Sequence, residues 1–469
     1  MRLPTDRRGA TLAVLCAMAL MIVLDSTIVA VAVPTIQREL GFSPAGVAWV
    51  VNAYLVAFAG LLLLAGRLGD LIGASRVFLA GLALFTVASL LCGFAGTAEL
   101  LVIGRFVQGA GGALASAVVL GMIVRRYPGP GEQAWAMGVY SFVQASGSAI
   151  GFVAGGVMTQ TVGWNWIFLI NVPVGVVVFL AAIRLLPREA GAGLRGGVDV
   201  AGAVLITAGL STGVYAIIGA SRPYAVVAVL LIAGFLVRQR RASHPLIPLR
   251  ILFRGWLLAT NATVVLIFAA GLGFQFLNAL YLQRIMGLDA LGTGWAFLPT
   301  PITIGIVSLF VAPRLSALAG PRRMLIIGLS ILAAGLILLS RAPAVPSYPA
   351  DMLPALVIMG LGVGLAIPAI IVLSMAGAEP RDTGMVSGLT STAQQAGAAL
   401  GLAVLASVAA AHTQARAEEG ALAALRDGYS LAFLVAAGFV AGALVLAVAA
   451  LRRRPDVNRE LTSYGAERG

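Results

Sequence analysis

Residues 11–33 read TLAVLCAMALMIVLDSTIVAVAV, an apolar run with one charged position, Asp25. About twenty apolar residues is the length a helix needs to cross the hydrocarbon of a bilayer. A carboxylate in the middle of such a run is expensive and asks for a reason. The local sequence Leu24-Asp25-Ser26-Thr27-Ile28-Val29 is apolar on both sides, so the acid has no short route to a polar surface. Either a partner inside the protein stabilises the charge, or the group is at times neutral and takes up protons. The second reading makes Asp25 a candidate coupling acid.

Composition extends this reading to the whole chain. Of 469 residues, 60% are hydrophobic and only 10% charged, and the mean hydropathy is +1.00. A soluble protein needs far more polar surface, so the expectation is an all-α polytopic membrane protein. The formal net charge is +13, and every basic residue is an arginine. These arginines sit in short loops between apolar runs, which excludes the folded basic face a nucleic acid would need. Cys16, Cys92, His244 and His412 are scattered, so no metal site and no disulfide framework is expected. No nucleophile–base constellation appears either, which argues against an enzyme. The basic start through Arg8 is of the kind that opens a signal peptide. The run behind it is too long and is followed by span after span, so it reads as a retained helix.

Apolar segments of spanning length fall near 10–33, 47–65, 75–95, 98–123, 133–158, 163–184, 198–219, 223–240, 256–280, 291–312, 321–340, 351–375, 385–410 and 428–451, fourteen in all. With the N-terminus in the cytoplasm, 24 arginines fall inside and six outside (Arg38, Arg222, Arg284, Arg341, Arg416 and Arg426), leaving Arg105 within a span. That bias supports fourteen spans with both termini inside. The one sizeable outer loop is then Ala411 to Asp427, charged and alanine-rich, with a short surface helix as the alternative reading. The stretch from Gly66 to Arg76, after the second span, is echoed by Pro313 to Arg323 after the tenth, provided spans seven and eight are set aside. Such an echo marks a carrier built from two repeated halves. The expected organisation is a first six-helix bundle over 1–187, a linker with two additional helices over 188–255, a second bundle over 256–455 and a cytoplasmic tail over 456–469.

Several motifs give the chain a family resemblance from end to end. It resembles the fourteen-helix drug:proton antiporters of the major facilitator superfamily. The stretch from Leu24 to Ile36 is similar to that branch's opening signature, with Ala30 where asparagine is common, and Asp25 matches its membrane-embedded acid. Gly66, Asp70, Gly73 and Arg76 match a gating loop whose acid is expected to latch helix ends across the domain interface; a merely solvated turn is the plainer reading. Arg105, with Gln108 on the same helical face, matches the fourth-helix motif. The resemblance implies that Arg105 biases the protonation of a nearby acid; alternatively it snorkels to the outer end, with Glu99 as partner. Gly147, Gly151, Gly155 and Gly156 match the antiporter signature of the fifth helix, where Phe152 replaces the usual proline. Glycines four apart also simply allow close packing. Trp164 to Pro173, with Asn165 where the family has arginine, reads as a structural entry to the sixth helix. In the second half, Tyr281, Gln283, Gly287, Gly294, Leu298 and Pro299 follow the pattern, as do Arg381, Gly384, Ser387, Gly388, Gln394, Gln395, Gly397 and Gly401.

A central cavity lined by both halves has Asn52, Tyr54, Phe58, Tyr140, Gln144, Asn261, Phe274, Gln275 and Asn278 as candidates, with Gln394 less secure; each also reads as a helix–helix bond or a lipid-facing ring. Together these readings point to proton-coupled export of small amphipathic or hydrophobic compounds by alternating access. The alternative is an exporter of an endogenous metabolite or lipid, not necessarily tightly proton-coupled. No cofactor is expected beyond the proton gradient, and the unit is expected to function as a monomer. Abundant alanine, glycine and arginine without lysine suggest a bacterial plasma membrane.

Overall fold

Backbone N–H and C=O groups cannot be left unpaired in hydrocarbon, so an apolar chain of this kind satisfies them within helices. The computed structural model describes residues 7–187, 191, 193, 197–343, 346–376 and 383–450. Arg188, Arg195, Arg381, Arg452, Arg453 and Arg454, and the tail 456–469, lie outside the described residues. Among the described residues, fourteen helices are long and apolar enough to cross a membrane. They are α1 Arg8–Glu39, α2 Gly46–Ile72, α3 Ala74–Gly93, α4 Ala98–Arg126, α5 Gly131–Thr161, α6 Trp166–Leu185, α7 Val200–Ile218, α8 Arg222–Arg241, α9 Gly255–Arg284, α10 Ala290–Ala319, α11 Pro321–Ser340, α12 Tyr348–Met375, α13 Gly384–Ala415 and α14 Ala421–Ala449. Fourteen alternating crossings return the chain to the face it started from, called here the terminal face.

The helices outrun the apolar windows. Helical hydrogen bonding continues past the hydrocarbon, where charged side chains meet water without cost. The expected outer loop from Ala411 to Asp427 is therefore corrected: α13 runs on to Ala415, a single 3₁₀ turn covers Ala417–Glu419, and α14 begins at Ala421. The expected loop from Gly66 to Arg76 likewise shrinks to one residue. Gly73 alone links α2 to α3, at φ 99°, a left-handed conformation that glycine adopts without the penalty a Cβ brings. Gly320, between α10 and α11, does the same at φ 78°.

That pairing of glycines belongs to a wider internal repeat. α1 packs on α5 as α9 packs on α13; α3 packs on α4 as α11 packs on α12; α3 packs on α6 as α11 packs on α14. Even the contact points recur. A Cβ on Gly81 would meet the Gly111 carbonyl at 2.8 Å, and one on Gly328 would meet the Gly362 carbonyl at 2.8 Å. Only glycine permits such backbone approach, and close approach is what drives association where lipid removes the hydrophobic incentive.

The two halves meet along two related seams, α5 against α10 and α13 against α2. The inserted hairpin breaks the symmetry, since α7 packs on both α2 and α13. Its Thr207 sits where a Cβ on Gly60 of α2 would fall, and the Ser407 hydroxyl of α13 donates to the Ile217 carbonyl at 3.2 Å. A buried polar clamp fixes the hairpin's base. Asp199 accepts from Arg238 Nε at 2.5 Å, Gln239 Nε2 at 2.8 Å and the Gly202 amide at 2.9 Å. Gln239 in turn accepts from the Ile247 amide at 3.1 Å, tying in the connector to α9. A separate small core of Ala203, Phe235, Leu246, Ile247, Leu257, Val386 and Leu389 seals this junction.

Candidate functional site

Asp25 and Arg105 each expose about 1% of their surface and lie inside α1 and α4. Burying either charge alone would cost several kcal/mol at least, so the two must be paired and hydrogen-bonded. They are. Arg105 Nη1 donates to Asp25 Oδ2 at 2.5 Å, and Gln108 Nε2 donates to Asp25 Oδ1 at 2.8 Å. Arg105 and Gln108 are three residues apart, hence on one helical face, and Arg105 Nη1 also donates to Gln108 Oε1 at 2.6 Å. Arg105 Nε donates to the Val50 carbonyl of α2 at 2.8 Å. The guanidinium carbon lies 4.6 Å from the Tyr54 ring centroid and 5.6 Å from that of Phe168. Arginine suits this position because its planar cation can donate sideways while its faces meet aromatic rings.

Among the described residues, Asp25 is the one acid fully buried within a membrane-length helix. The snorkelling alternative for Arg105 is overturned: the guanidinium turns inward to Asp25, and Glu99 takes no part in its bonding. Phe168, the Val50 carbonyl and Ser89, which holds Gln108 at 2.9 Å, were not legible as members. A carbonyl carries no sequence signature, and a serine or phenylalanine in an apolar helix looks like packing.

The fifth-helix glycines pack against the stretch of α1 that carries Asp25. Cβ atoms on Gly147, Gly151 and Gly155 would strike Leu20, Thr27 and Ile28 of α1, in the last case at 2.9 Å from a backbone Cα. Gly156 faces the other way. Its Cβ would fall 2.6 Å from the Ala290 carbonyl of α10, in the second half. Phe152, the residue in place of proline, stacks flat on Phe297 of α10 with centroids 4.6 Å apart and planes at 5°. At the same end, away from the terminal face, Gln160 Nε2 donates to Asp289 Oδ2 at 3.0 Å, Gln283 Nε2 donates to the Val31 carbonyl at 2.9 Å, and Arg284 donates to Gln37 Oε1. The halves are thus bolted together at the face opposite the termini.

The turn carrying Gly66, Asp70, Gly73 and Arg76 lies at the terminal face. Gly66 has open space around its Cα, and Asp70 is exposed and forms no ion pair among the described residues. Arg76 Nη1 reaches the Ile72 carbonyl at 3.4 Å. The linker touches this turn, with the Gly193 amide donating to the Leu71 carbonyl at 2.9 Å and the Ser75 hydroxyl to the Pro187 carbonyl at 2.7 Å.

The cavity candidates divide among α2, α5, α9 and α13. Tyr54 and Phe58 belong to the arginine site and its contact with Gly112 of α4. Phe274 packs on Phe433 inside the second half, and Asn261 Nδ2 bonds its own helix at the Leu257 carbonyl. Asn52 and Asn278 are fully buried with side-chain amides that have no hydrogen-bond partner among the described residues. Tyr140, Gln144 and Gln275 are half-buried. Gln239, which escaped the sequence reading, is structural in the hairpin clamp, and Asn165 donates to the Gly93 carbonyl at 2.8 Å, closing the α5–α6 turn onto α3. The neighbouring Trp164 indole donates to Glu39 at 2.7 Å.

Residues 15–402 match the family model described as Major Facilitator Superfamily. The chain belongs to that superfamily. It is 36% identical over 459 residues to the puromycin resistance protein pur8 of Streptomyces alboniger, covering 94% of this chain and 90% of that one. It is 34% identical over 460 residues to the cephamycin export protein CmcT of Amycolatopsis lactamdurans, covering 94% and 92%. The fold is similar to the crystal structure of a bacterial homologue of the human lysosomal transporter Spinster, inward-facing and unoccupied. The TM-score is 0.69 at 16% identity, over 97% of this chain and 99% of that one. The chain is a membrane transporter of the superfamily, not an enzyme, and its curated relatives include exporters of antibiotics.

Proposed function

We propose that this chain exports small amphipathic or hydrophobic compounds, drugs or specialised metabolites, in exchange for protons, with Asp25 as the group that binds the proton. The observation that carries the reading is the placement of Asp25. It is fully buried among membrane-length helices, against an arginine whose other contacts do not depend on it. A carboxylate there can lose its charge without leaving the guanidinium wholly unpartnered. Alternating access is supported by the two repeated halves and by their contacts at the face opposite the termini. With the terminal face in the cytoplasm of a bacterium, as the arginine distribution favours, that joined face is the outer one and the molecule is closed outward. Protons arriving from outside would neutralise Asp25 and favour release of cargo; return to the inward form would free the proton. The relatives named for puromycin resistance and cephamycin export support cargo of this size and chemistry. The carrier is expected to work as a monomer.

The test is transport of puromycin and of ethidium in proteoliposomes, with and without an imposed proton gradient. D25N should fold and lose gradient-driven transport. Unchanged gradient-driven transport in D25N overturns the assignment. One observation favours a second reading, export of an endogenous metabolite or lipid without tight coupling. Both Asp25 oxygens already have donors, as a static structural pair would. Transport from a lipid-containing panel that ignores the gradient would establish that reading instead.

A further inference from the structure

The side-chain amide of Gln108 is held on every side. One N–H goes to Asp25 Oδ1 at 2.8 Å, and Nε2 also donates to Ser89 Oγ of α3 at 2.9 Å. Its Oε1 accepts from Arg105 Nη1 at 2.6 Å and receives the Cys92 thiol at 3.9 Å. Ser89 is itself oriented, because its hydroxyl donates to the Phe85 carbonyl at 2.8 Å and so presents a lone pair to Gln108. Turning the amide over would set Oε1 against the carboxylate and an N–H against the guanidinium. The amide therefore has one orientation, the one that donates to the acid. Both Ser89 and Gln108 are fully buried, out of reach of bulk water.

The charged and titratable groups facing Asp25 are few. Arg105 comes from α4, Tyr54 from α2 and Cys92 from α3. α5 meets the neighbouring residues of α1 with glycines, and α6 brings the Phe168 ring to the guanidinium. Oδ2 is held by Arg105, while Oδ1 is held by Gln108 alone among the described residues. A hydrogen bond donated to a carboxylate favours its charged form.

We propose that Gln108, fixed by Ser89, is a positioning residue that sets the pH at which the Asp25 site takes up and gives back its proton. The proposal rests on Asp25 being the proton site. Removing Gln108 has two opposed effects. Oδ1 loses its donor, which favours the neutral acid, and Arg105 Nη1 no longer divides itself between two oxygens, which favours the charge. The first is larger, because Arg105 is already at 2.5 Å from Oδ2 and has little to gain. Replacing the donor should therefore move the midpoint toward alkaline pH. Loss of one charge-assisted hydrogen bond corresponds to a shift of about one pH unit.

The experiment follows the carboxylic C=O infrared band of the purified full-length protein against pH, assigned to Asp25 by its loss in D25N. This readout needs no cargo. Q108M keeps volume without a donor and should shift the band midpoint alkaline by about one pH unit. S89A should shift it the same way by less. A merely structural role for Gln108 predicts an unchanged midpoint with less folded protein. An unchanged or acid-shifted midpoint in Q108M overturns the proposal while leaving Asp25 as proton site. If Q108M does not fold, S89A decides, and an unmoved midpoint there overturns it. Should no band disappear in D25N, the proton-site reading itself fails and this proposal with it.

Discussion

Arg105 is held by geometry that lysine cannot reproduce. A lysine there would offer one point charge, unable to reach the Val50 carbonyl and Asp25 at once while lying between the rings of Tyr54 and Phe168. R105K is expected to slow gradient-driven transport at least about tenfold, checked in proteoliposomes against wild type. Tyr54 separates ring from hydroxyl. Among the described residues its hydroxyl has no hydrogen-bond partner, whereas its ring lies beside the cation. Y54F should therefore leave stability unchanged or raise it by about 1 kcal/mol, because a buried hydroxyl without a partner is removed, while Y54A should lower it by at least the cation–π contact, up to about 2 kcal/mol. Thermal unfolding followed by intrinsic fluorescence distinguishes the two. Asp25 and Arg105 were legible in the sequence because charges in apolar runs are costly, and Gln108 because it falls three residues from Arg105. Their union was not. It depends on α1 and α4 crossing at one height, which spacing along a chain does not state.

Helices in this fold meet through their smallest residues, so a single methyl group can be placed as a wedge. G155A puts a Cβ 2.9 Å from the Ile28 backbone, one turn from Asp25; G401A, its counterpart on α13, puts one 2.2 Å from the Ala269 Cα. Both should destabilise, by about 1–3 kcal/mol for forced overpacking. Only G155A is expected to change the pH dependence of transport, since only α1 carries the proposed proton site. Equal pH profiles in the two variants would separate the α1–α5 contact from coupling. The hairpin clamp, at the terminal face, gives a second test. Burial opposes the charge of Asp199, but Arg238, the Gly202 amide and Gln239 together hold its carboxyl below the usual carboxylate range. A depressed value means that the clamp stabilises the fold above the unfolded aspartate's range, and that this contribution is lost as pH falls through the folded value. Acid unfolding of D199N should accordingly show a shallower fall in stability below about pH 4. The sequence marked the glycines as a smooth face but not which neighbour they met. Asp199 and Gln239 stayed hidden because forty residues separate them. Helix ends were misjudged wherever charge began before the helix stopped, as between Ala411 and Asp427.

At the scale of the molecule, the two halves are joined at the face opposite the termini and must part there if access alternates. α5 and α10 supply much of that junction. Phe152 and Phe297 stack, Gly156 admits the Ala290 carbonyl, and Gln160 bonds both Asp289 and the Leu291 amide. Where a proline would be usual at position 152, the ring instead adds an aromatic stack worth about 0.5–1.5 kcal/mol to this junction. The related seam of α13 against α2 carries α7 across it, which leaves the α5–α10 side as the less encumbered one. Q160C/D289C tests whether this side opens. The two side chains it replaces meet tip to tip at 3.0 Å, so the cysteines stand farther apart than a disulfide spans and call for a short bis-methanethiosulfonate bridge. The native Cys16 and Cys92 are buried and should react little. Bridging is expected to reduce transport at least about tenfold, with recovery on reduction, while each single variant treated alike stays active. Transport at full rate with the bridge in place would mean that α5 and α10 need not separate, and the exit path would then have to lie on the α2–α13 side, past α7.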